Sequence, residues 1–496
     1  MHDFTPIPAL APSPLRATDG CSGLGAGPGT FDAPGDRLGV VSDVLDLIGN
    51  TPLVELKKLD RGPCRLFVKL ENQNPGGSIK DRIALSMIAA AEREGKLPPG
   101  GTLVEATAGN TGLGLALVAA RKGYRLKLVI PDKMSQEKVF HLKALGAEVV
   151  LTRSDVGKGH PAYYQDLAEK IARETPGAFY VNQFGNPANP EAHETRTGPE
   201  IWRQMGGKVD AVVCGVGSGG TLTGLTRYFR RVEPSVRMVL ADPEGSILAG
   251  YVRDGTIGEA GSWLVEGIGE DFLPPIADLT GVAEAYTIGD AESFATARAL
   301  LLEEGILAGS TAGTLVAAAL RYCRSRTAPE RVVTFICDSG NKYLSKMYND
   351  FWMLDQGFLE RERFGDLRDL IGRRFADNAV VSLDPDDTLA VADQRFRLYD
   401  VSQLPVLEND RIVGIVDESD LLLAAYRRGE VFREPVRAHM TTRLETLTPD
   451  ASVDALLPVF EQGKVPIVVQ DGRFQGLITR IDLLNYLRRR AKQEAG

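Results

Sequence analysis

The chain reads as an α/β protein with mainly parallel sheets and a smaller, internally repeated module at its carboxyl end. Two observations predict this. From about residue 40 to 355, short β-rich runs alternate with stretches whose apolar residues recur at three and four spacing, as βαβ units require. After about 357 a repeat appears, in which SQLPVLENDRIVGIVDESDLL (402–422) parallels GKVPIVVQDGRFQGLITRIDLL (463–484). At 496 residues the chain exceeds one ordinary domain.

Residues 1–38 are rich in Pro, Gly, Ala and Ser without periodicity and predict a disordered tail. The strands expected next are LFVKLE (66–71), TLVEA (102–106), RLKLVIP (125–131), DAVVCGV (210–216), VRMVLAD (236–242) and RVVTFICD (331–338). The helices between them are expected at Ile79–Arg93, Thr111–Lys122, Gln136–Leu145, Ala162–Arg173, Glu191–Met205, Leu222–Phe229, Ala291–Glu304 and Gly313–Arg324. The charged stretch FLERERFGDLRDL predicts a linker helix. In the repeat, Pro405 pairs with Pro466, Gly414 with Gly476 and Asp420 with Asp482. Each copy reads strand, turn, strand, helix, and the two are expected to pack face to face and share a core. The domain boundaries that follow are a tail (1–38), a main domain (39–356), a linker (357–373) and a C-terminal module (374–496, with copies 374–430 and 431–490).

Composition narrows the function. A net charge of −9 disfavours general nucleic-acid binding. No apolar run reaches the roughly 18–20 residues that span a bilayer. The N-terminal residues lack a basic and apolar leader pattern. The five cysteines (21, 64, 214, 323 and 337) form no C-x-x-C pair, which fits a reduced cytoplasm, with Cys214 and Cys337 as small core residues. No His/Cys spacing suggests a metal.

Four features at strand-to-helix junctions carry chemistry. NPGGSIKDR (74–82) places Lys80 behind a glycine loop at the start of an apolar helix; the lysine is either a surface cation or a covalently occupied amine. EATAGNTGLG (105–114) suits a carboxylate at a helix start, or is an ordinary capped turn. GVGSGGTLTG (215–224) can gather backbone N–H groups and the hydroxyls of Ser218 and Thr221 around a phosphate. Its spacing matches neither the dinucleotide nor the nucleoside-triphosphate fingerprint. GILAGSTAGT (305–314) offers the neutral hydroxyl of Thr311, or simply permits tight helix packing. A small phosphorylated aldehyde held by a lysine uses all four, and pyridoxal phosphate is such a compound.

These motifs, with KMSQEKV, NQFGNPANP, DPEGSIL and EGIGEDF, resemble the pyridoxal-phosphate β-replacement enzymes of fold type II over about residues 42–355. That resemblance implies a tryptophan synthase β-like fold of two parallel-sheet subdomains. DPEGSIL, EGIGEDF and KMSQEKV are most similar to the cystathionine β-synthase family, whereas NQFGNPANP and TGPEIW look more like cysteine synthases. The repeat resembles a tandem CBS-domain (Bateman) module, which favours the former.

By resemblance, Lys80 holds the cofactor aldehyde and shuttles a proton, and Asn110 bonds the ring hydroxyl. Thr107, Ala108, Gly109, Asn110 and Thr111, with Gln183, bind the substrate carboxylate. Gly217, Ser218, Gly219, Gly220 and Thr221 hold the phosphate, Thr311 faces the pyridine nitrogen, and Gly267 and Gly269 border the substrate. Thr479 and Asp482 offer at most one adenosyl-ligand site, since the first copy has Asp417 where the hydroxyl belongs; the alternative is a purely structural pair that serves dimerisation. Ala108 and Phe184 depart from the usual serine and from the tyrosine of animal enzymes, and the haem segment of those enzymes is missing, so the implied catalysis is haem-independent.

The activity implied is condensation of L-serine with L-homocysteine, with hydrogen sulfide formed from cysteine. The alternatives are cysteine synthesis from O-acetylserine and sulfide, and an adenosyl-nucleotide sensor on an inactive enzyme fold. A homodimer or larger homo-oligomer is expected, without nucleic-acid or membrane partners.

Overall fold

Two parallel sheets dominate the amino-terminal two-thirds of the chain. The computed structural model describes residues 41–107, 109–132, 136–157, 159–427 and 431–495. The expected tail (1–38), Ala108 and the first residues of KMSQEKV lie outside them.

In chain order the first part contains β1 (Leu53–Leu56), β2 (Arg65–Leu70), α1 (Lys80–Arg93), β3 (Thr102–Ala106), α2 (Asn110–Lys122), β4 (Arg125–Pro131), α3 (Gln136–Ala144), β5 (Glu148–Thr152), α4 (Tyr164–Glu174), β6 (Ala178–Tyr180), α5 (Ala188–Ala192) and α6 (Gly198–Gln204). It continues with β7 (Ala211–Cys214), α7 (Gly220–Val232), β8 (Arg237–Pro243), α8 (Leu248–Asp254), β9 (Val282–Ile288), α9 (Asp290–Glu304), α10 (Ser310–Arg324), β10 (Arg331–Ile336) and α11 (Asp350–Gln356). One sheet has the order β1-β2-β10-β7-β8-β9, the other β5-β4-β3-β6. All pairings are parallel except β1 with β2, which run antiparallel. Fold type II, with its two parallel-sheet subdomains, is therefore what the chain adopts.

Central strands such as β3 and β7 are wholly buried, and helices cover them on both faces. One apolar core surrounds the larger sheet, and two smaller clusters flank the smaller sheet. The single helix expected over Glu191–Met205 is instead α5, a π-helical turn (His193–Thr197) and α6 in succession. The wider turn keeps the chain helical but changes which residues face α7.

Behind α1 lies a buried ionic cluster. Arg82 bridges Glu71 and Glu200, and Lys69 reaches Glu200 at 3.0 Å. Burial pushes the Glu71 carboxyl up, but the Arg82 guanidinium more than cancels this and holds it at about 2.

The C-terminal module contains α12 (Leu389–Tyr399), β11 (Gln403–Glu408), β12 (Arg411–Asp417), α13 (Glu418–Arg427), β13 (Thr446–Leu447), α14 (Leu456–Glu461), β14 (Ile467–Gln470), β15 (Arg473–Leu477) and α15 (Arg480–Ala495). Both copies show the expected strand–turn–strand–helix order. They do not share one core, however. Leu383, Leu404, Val406 and Val416 belong to one apolar cluster, and Leu456, Val468 and Ile478 to another. Linker residues Leu367, Leu370 and Ile371 complete the second cluster.

The linker helix is also corrected. Residues 358–370 hold only a short 3-10 turn (Leu367–Asp369). Gly365, at φ +74°, breaks helical geometry there. Arg374 donates from outside to the carbonyls of Glu362 and Arg368, replacing helical partners.

Candidate active site

Lys80 begins α1 because the preceding residues are fastened to the end of β10. The Ile79 N–H donates to the Cys337 carbonyl at 2.9 Å, and Ser78 bridges Asp338. The glycines of the motif have a structural use too. The Gly76 N–H donates to Asp81 Oδ2 at 2.6 Å, and a Cβ on Gly76 would lie 2.5 Å from the other carboxylate oxygen. Gly114 lets α2 cross α1 closely: a Cβ there would come within 3.0 Å of the Lys80 carbonyl. Lys80 is thereby held at the carboxyl ends of the strands, where open parallel sheets form their ligand crevices.

The cleft it enters has about 560 Å³ of empty space, open mouth included. Lys80, Asn110, Gly217–Thr221, Gly267 and Thr311 all line it. Burial lowers the Lys80 amine from its ordinary pKa, opposed in part by Cys337, Asp338 and Glu270. Burial also raises Glu270, to about 8.

The remaining expected residues are placed less directly. Thr111 donates to Gln183 Oε1 at 2.7 Å, and Thr107 Oγ1 accepts from the Gly109 N–H at 3.2 Å. These residues hold one another, but none of Thr107, Gly109, Thr111 and Gln183 lines the cleft beside Lys80. Gly269 is closely packed: a Cβ would lie 2.4 Å from Pro243 and 2.9 Å from Trp263. The Thr311 hydroxyl donates to the Glu266 carbonyl. Phe184 packs against Phe272, with ring centroids 5.7 Å apart. Cys337 is half-buried against the core and also lines the cleft, and Cys214 is both buried and part of the wall.

Several residues without a sequence motif support the site. Asn110 donates to Asp338 Oδ2 at 2.8 Å and accepts from Lys342 at 2.5 Å; Tyr343 donates to the same carboxylate oxygen at 2.9 Å. Burial raises the Asp338 carboxyl, against Lys342, Asn110 and Tyr343. Behind the glycine loop, Asn189 donates to Ser218 Oγ at 2.9 Å, and His193 Nε2 lies 3.2 Å from Thr221 Oγ1. The available signals were an acidic residue just past a largely apolar strand and polar residues recurring every fourth position from Asn189 to Thr197.

The structure therefore joins a buried amine to a glycine cradle. A Cβ on Gly217 would lie 2.6 Å from the Gly267 carbonyl, and one on Gly219 would lie 2.5 Å from Ala277. The first turn of α7 presents unpaired N–H groups at this point, and two hydroxyls stand beside them. An amine for an aldehyde, a cradle for a phosphate and an amide beside the ring edge fit pyridoxal phosphate.

Comparison with known proteins agrees. The profile described as pyridoxal-phosphate dependent enzyme matches residues 44–338, and the CBS-domain profile matches 371–427 and 436–489. The cystathionine β-synthase of Dictyostelium discoideum is 36% identical over 462 residues, covering 90% of this chain and 92% of that protein. The chain belongs to the cystathionine β-synthase family of pyridoxal-phosphate enzymes. Its namesake from Saccharomyces cerevisiae is 39% identical over 409 residues, covering 77% and 80% of the two chains. Among solved structures, a hydrogen sulfide-producing enzyme from Fusobacterium nucleatum superposes with a TM-score of 0.57 at 36% identity, covering 62% of this chain and all of that one. An O-ureido-L-serine synthase does so at 0.58 and 34%, covering 66% and 99%. Cystathionine β-synthase relatives thus share both the enzyme fold and the CBS pair with this chain.

A second cleft lies in the CBS pair. It has about 1330 Å³ of empty space, open mouth included, and Thr479, Asp482, Lys464 and Arg480 are among its walls. The Thr479 hydroxyl donates to Asp482 Oδ2 at 2.6 Å. In the first copy the matching position, Asp417, accepts instead from the Ser419 and Asp420 N–H groups. Among the described residues no helix is long and apolar enough to cross a membrane, and no cluster of His, Cys, Asp or Glu suits a metal.

Proposed function

We propose that the chain condenses L-serine with L-homocysteine to L-cystathionine and water, and releases hydrogen sulfide when cysteine takes the place of serine. The observation that carries this reading is the reach of the likeness. It runs through 92% of the Dictyostelium protein and 90% of this chain, so it includes both the enzyme part and the CBS pair. We divide the chain into a catalytic domain (39–356), a linker (357–373) and a regulatory module (374–496).

When bound, pyridoxal phosphate supplies an electron sink for the bonds around Cα. Lys80 holds the cofactor and, once its amine is free, removes the Cα proton. Burial favours the neutral form of that amine, which is the form that can act as a base. The same nitrogen then delivers that proton to the departing β-hydroxyl. The Cβ–O bond breaks and water leaves; a Cβ–S bond then forms to the homocysteine sulfur, and the proton lost by that thiol is returned to Cα by Lys80. Asn110, held between Asp338 and Lys342, orients the ring edge. Gly217–Thr221 anchor the phosphate, Thr311 closes the far side of the ring, and the Thr107–Thr111 loop with Gln183 receives the substrate carboxylate. Gly267 and Gly269 shape the substrate side.

The second reading makes cysteine from O-acetylserine and sulfide. It draws on the structural likeness to the O-ureido-L-serine synthase and on the NQFGNPANP motif. Product analysis with serine, O-acetylserine and cysteine, each set against homocysteine and sulfide, separates the two. Cystathionine from serine and homocysteine as the fastest product supports the first; cysteine from O-acetylserine and sulfide as the fastest overturns it.

For the CBS pair we propose one adenosyl-ligand site at Thr479 and Asp482, in a homodimeric or larger assembly. Calorimetry with AMP, ATP and S-adenosylmethionine tests the site. Binding that is lost in Thr479→Val supports it, and no heat from any of the three assigns the pair a structural role.

A further inference from the structure

We propose that the segment from Asn189 to Thr197 fixes the direction of the protons in the phosphate loop, with Asn189 and His193 acting as donors so that Ser218 and Thr221 must donate to the anion. The inference rests on the assignment of Gly217–Thr221 as the phosphate cradle.

The segment is pressed against α7 along one face. A Cβ on Gly220 would lie 1.8 Å from Asn189 Oδ1, one on Gly224 2.2 Å from the Pro190 carbonyl, and one on Gly198 2.6 Å from Tyr228. Positions 220, 224 and 228 recur every fourth residue of α7. Asn189, His193 and Thr197 recur every fourth residue opposite them, a spacing that the π-helical turn keeps on one side.

The orientation of Asn189 is fixed by chemistry. Its Nδ2 lies 2.8 Å from the Gln183 carbonyl, which can only accept. The second Nδ2 hydrogen therefore meets Ser218 Oγ at 2.9 Å, and Ser218 accepts. Its own proton is left for another acceptor.

His193 repeats the arrangement. Nδ1 lies 3.0 Å from Thr197 Oγ1 and Nε2 lies 3.2 Å from Thr221 Oγ1. A neutral ring has one donor and one acceptor, so two orders are available. If Thr221 donates to Nε2, its lone pairs face the phosphate and repel it. If Thr197 donates to Nδ1 and Nε2–H donates to Thr221, the Thr221 proton is released toward the phosphate. A bound dianion selects the second order. Burial, reinforced by Arg82, lowers the His193 pKa to about 3, so the ring stays neutral.

His193 is then a positioning residue acting through Thr221. The holoenzyme labelled with ¹⁵N-histidine, its His193 signal assigned by loss in His193→Gln, is expected to show the neutral Nε2–H tautomer unchanged from pH 6 to 9. An Nδ1–H tautomer or an imidazolium overturns the proposal without requiring any other variant to fold. Pyridoxal phosphate dissociation constants form the second test. His193→Leu and Thr221→Val should each weaken binding about tenfold, as loss of one charge-assisted bond predicts. The double variant should be no weaker than Thr221→Val, and His193→Gln, which keeps a donor, should stay within about threefold of wild type. Asn189→Ala and Ser218→Ala should show the same non-additivity. Additive losses, or a Thr221→Val loss that His193→Leu does not reproduce, overturn the inference alone. Unchanged affinity in Thr221→Val and Ser218→Ala overturns the cradle assignment beneath it.

Discussion

Replacing Arg82 with methionine tests how Lys80 is held in place. Arg82 sits two residues after Lys80 and is fully buried with its partners. Its Nε and Nη2 reach Glu71 at 2.6 and 2.8 Å, and its Nη1 and Nη2 reach Glu200 at 2.8 and 2.7 Å. Together with Lys69 the cluster holds two cations and two carboxylates, so it is neutral. Arg82→Met keeps the volume of the stem but leaves one carboxylate uncompensated in the interior. Breaking such a pair costs roughly 3–5 kcal/mol. With an m-value of about 5 kcal/mol/M, the guanidinium midpoint should fall by about 0.6–1 M. All three tryptophans, Trp202, Trp263 and Trp352, lie in the first 356 residues, so their fluorescence follows this part of the chain. The decisive comparison adds Glu71→Gln. The double variant is neutral again, with Lys69 facing Glu200, and should regain at least half of the lost midpoint. A double variant as unstable as the single one would refute the electrostatic account and leave only a packing defect.

Lys80→Ala should abolish the borohydride-reducible absorbance of the bound cofactor and nearly all turnover; a tenth of wild-type turnover would remove Lys80 from its role. Asp338→Ala leaves the Asn110 amide and the Tyr343 hydroxyl without their acceptor, and should weaken pyridoxal phosphate binding by about ten- to a hundredfold in an equilibrium titration. Stability should also depend on pH with a definite sign. Burial raises Asp81 and Glu105 to about 7 and Glu270 to about 8, so the folded chain binds protons that the unfolded chain releases. That contribution is complete below about pH 4 and is lost as pH rises through 7 to 8. On the acid side, His193 at about 3 and Glu71 at about 2 contribute stability that is lost as pH falls below their unfolded values. Three carboxyls outweigh the one imidazole above about pH 5, so the thermal midpoint should peak near pH 4 to 5 and fall as pH rises to about 8; a midpoint that rises between 5 and 8 contradicts the assignment.

The strands that sequence reading found and missed divide by position in the sheets. TLVEA and RLKLVIP coincide with β3 and β4, both interior to the smaller sheet, and the other four expected runs fall on β2, β7, β8 and β10, all interior to the larger one. In these two sheets the four strands not anticipated are β1, β9, β5 and β6, which are their four edges. An interior strand covered on both faces is mostly apolar, whereas an edge strand is only partly covered and carries a weaker run. β6, with three half-buried residues, offers almost no pattern.

The site divides in a similar way. Lys80 and the glycine loop were legible because close approach to a ligand restricts residue type. Asn189, His193 and Asp338 were not, because each acts through a contact whose partner is 28 to 228 residues away. Yet two of these side chains left a mark in the sequence. A Cβ on Gly220 would stand 1.8 Å from Asn189 Oδ1, and a Cβ on Gly309 would stand 1.8 Å from Asp338 Oδ1. Gly220 belongs to the motif read as a phosphate cradle and Gly309 to the one read as offering a hydroxyl or tight helix packing. Their missing side chains instead make room for the protein's own polar groups, which aim Ser218 in one case and Asn110 in the other. A glycine beside a ligand cradle thus points in two directions, and its second direction leads to the residues that set the hydrogen bonding of the site.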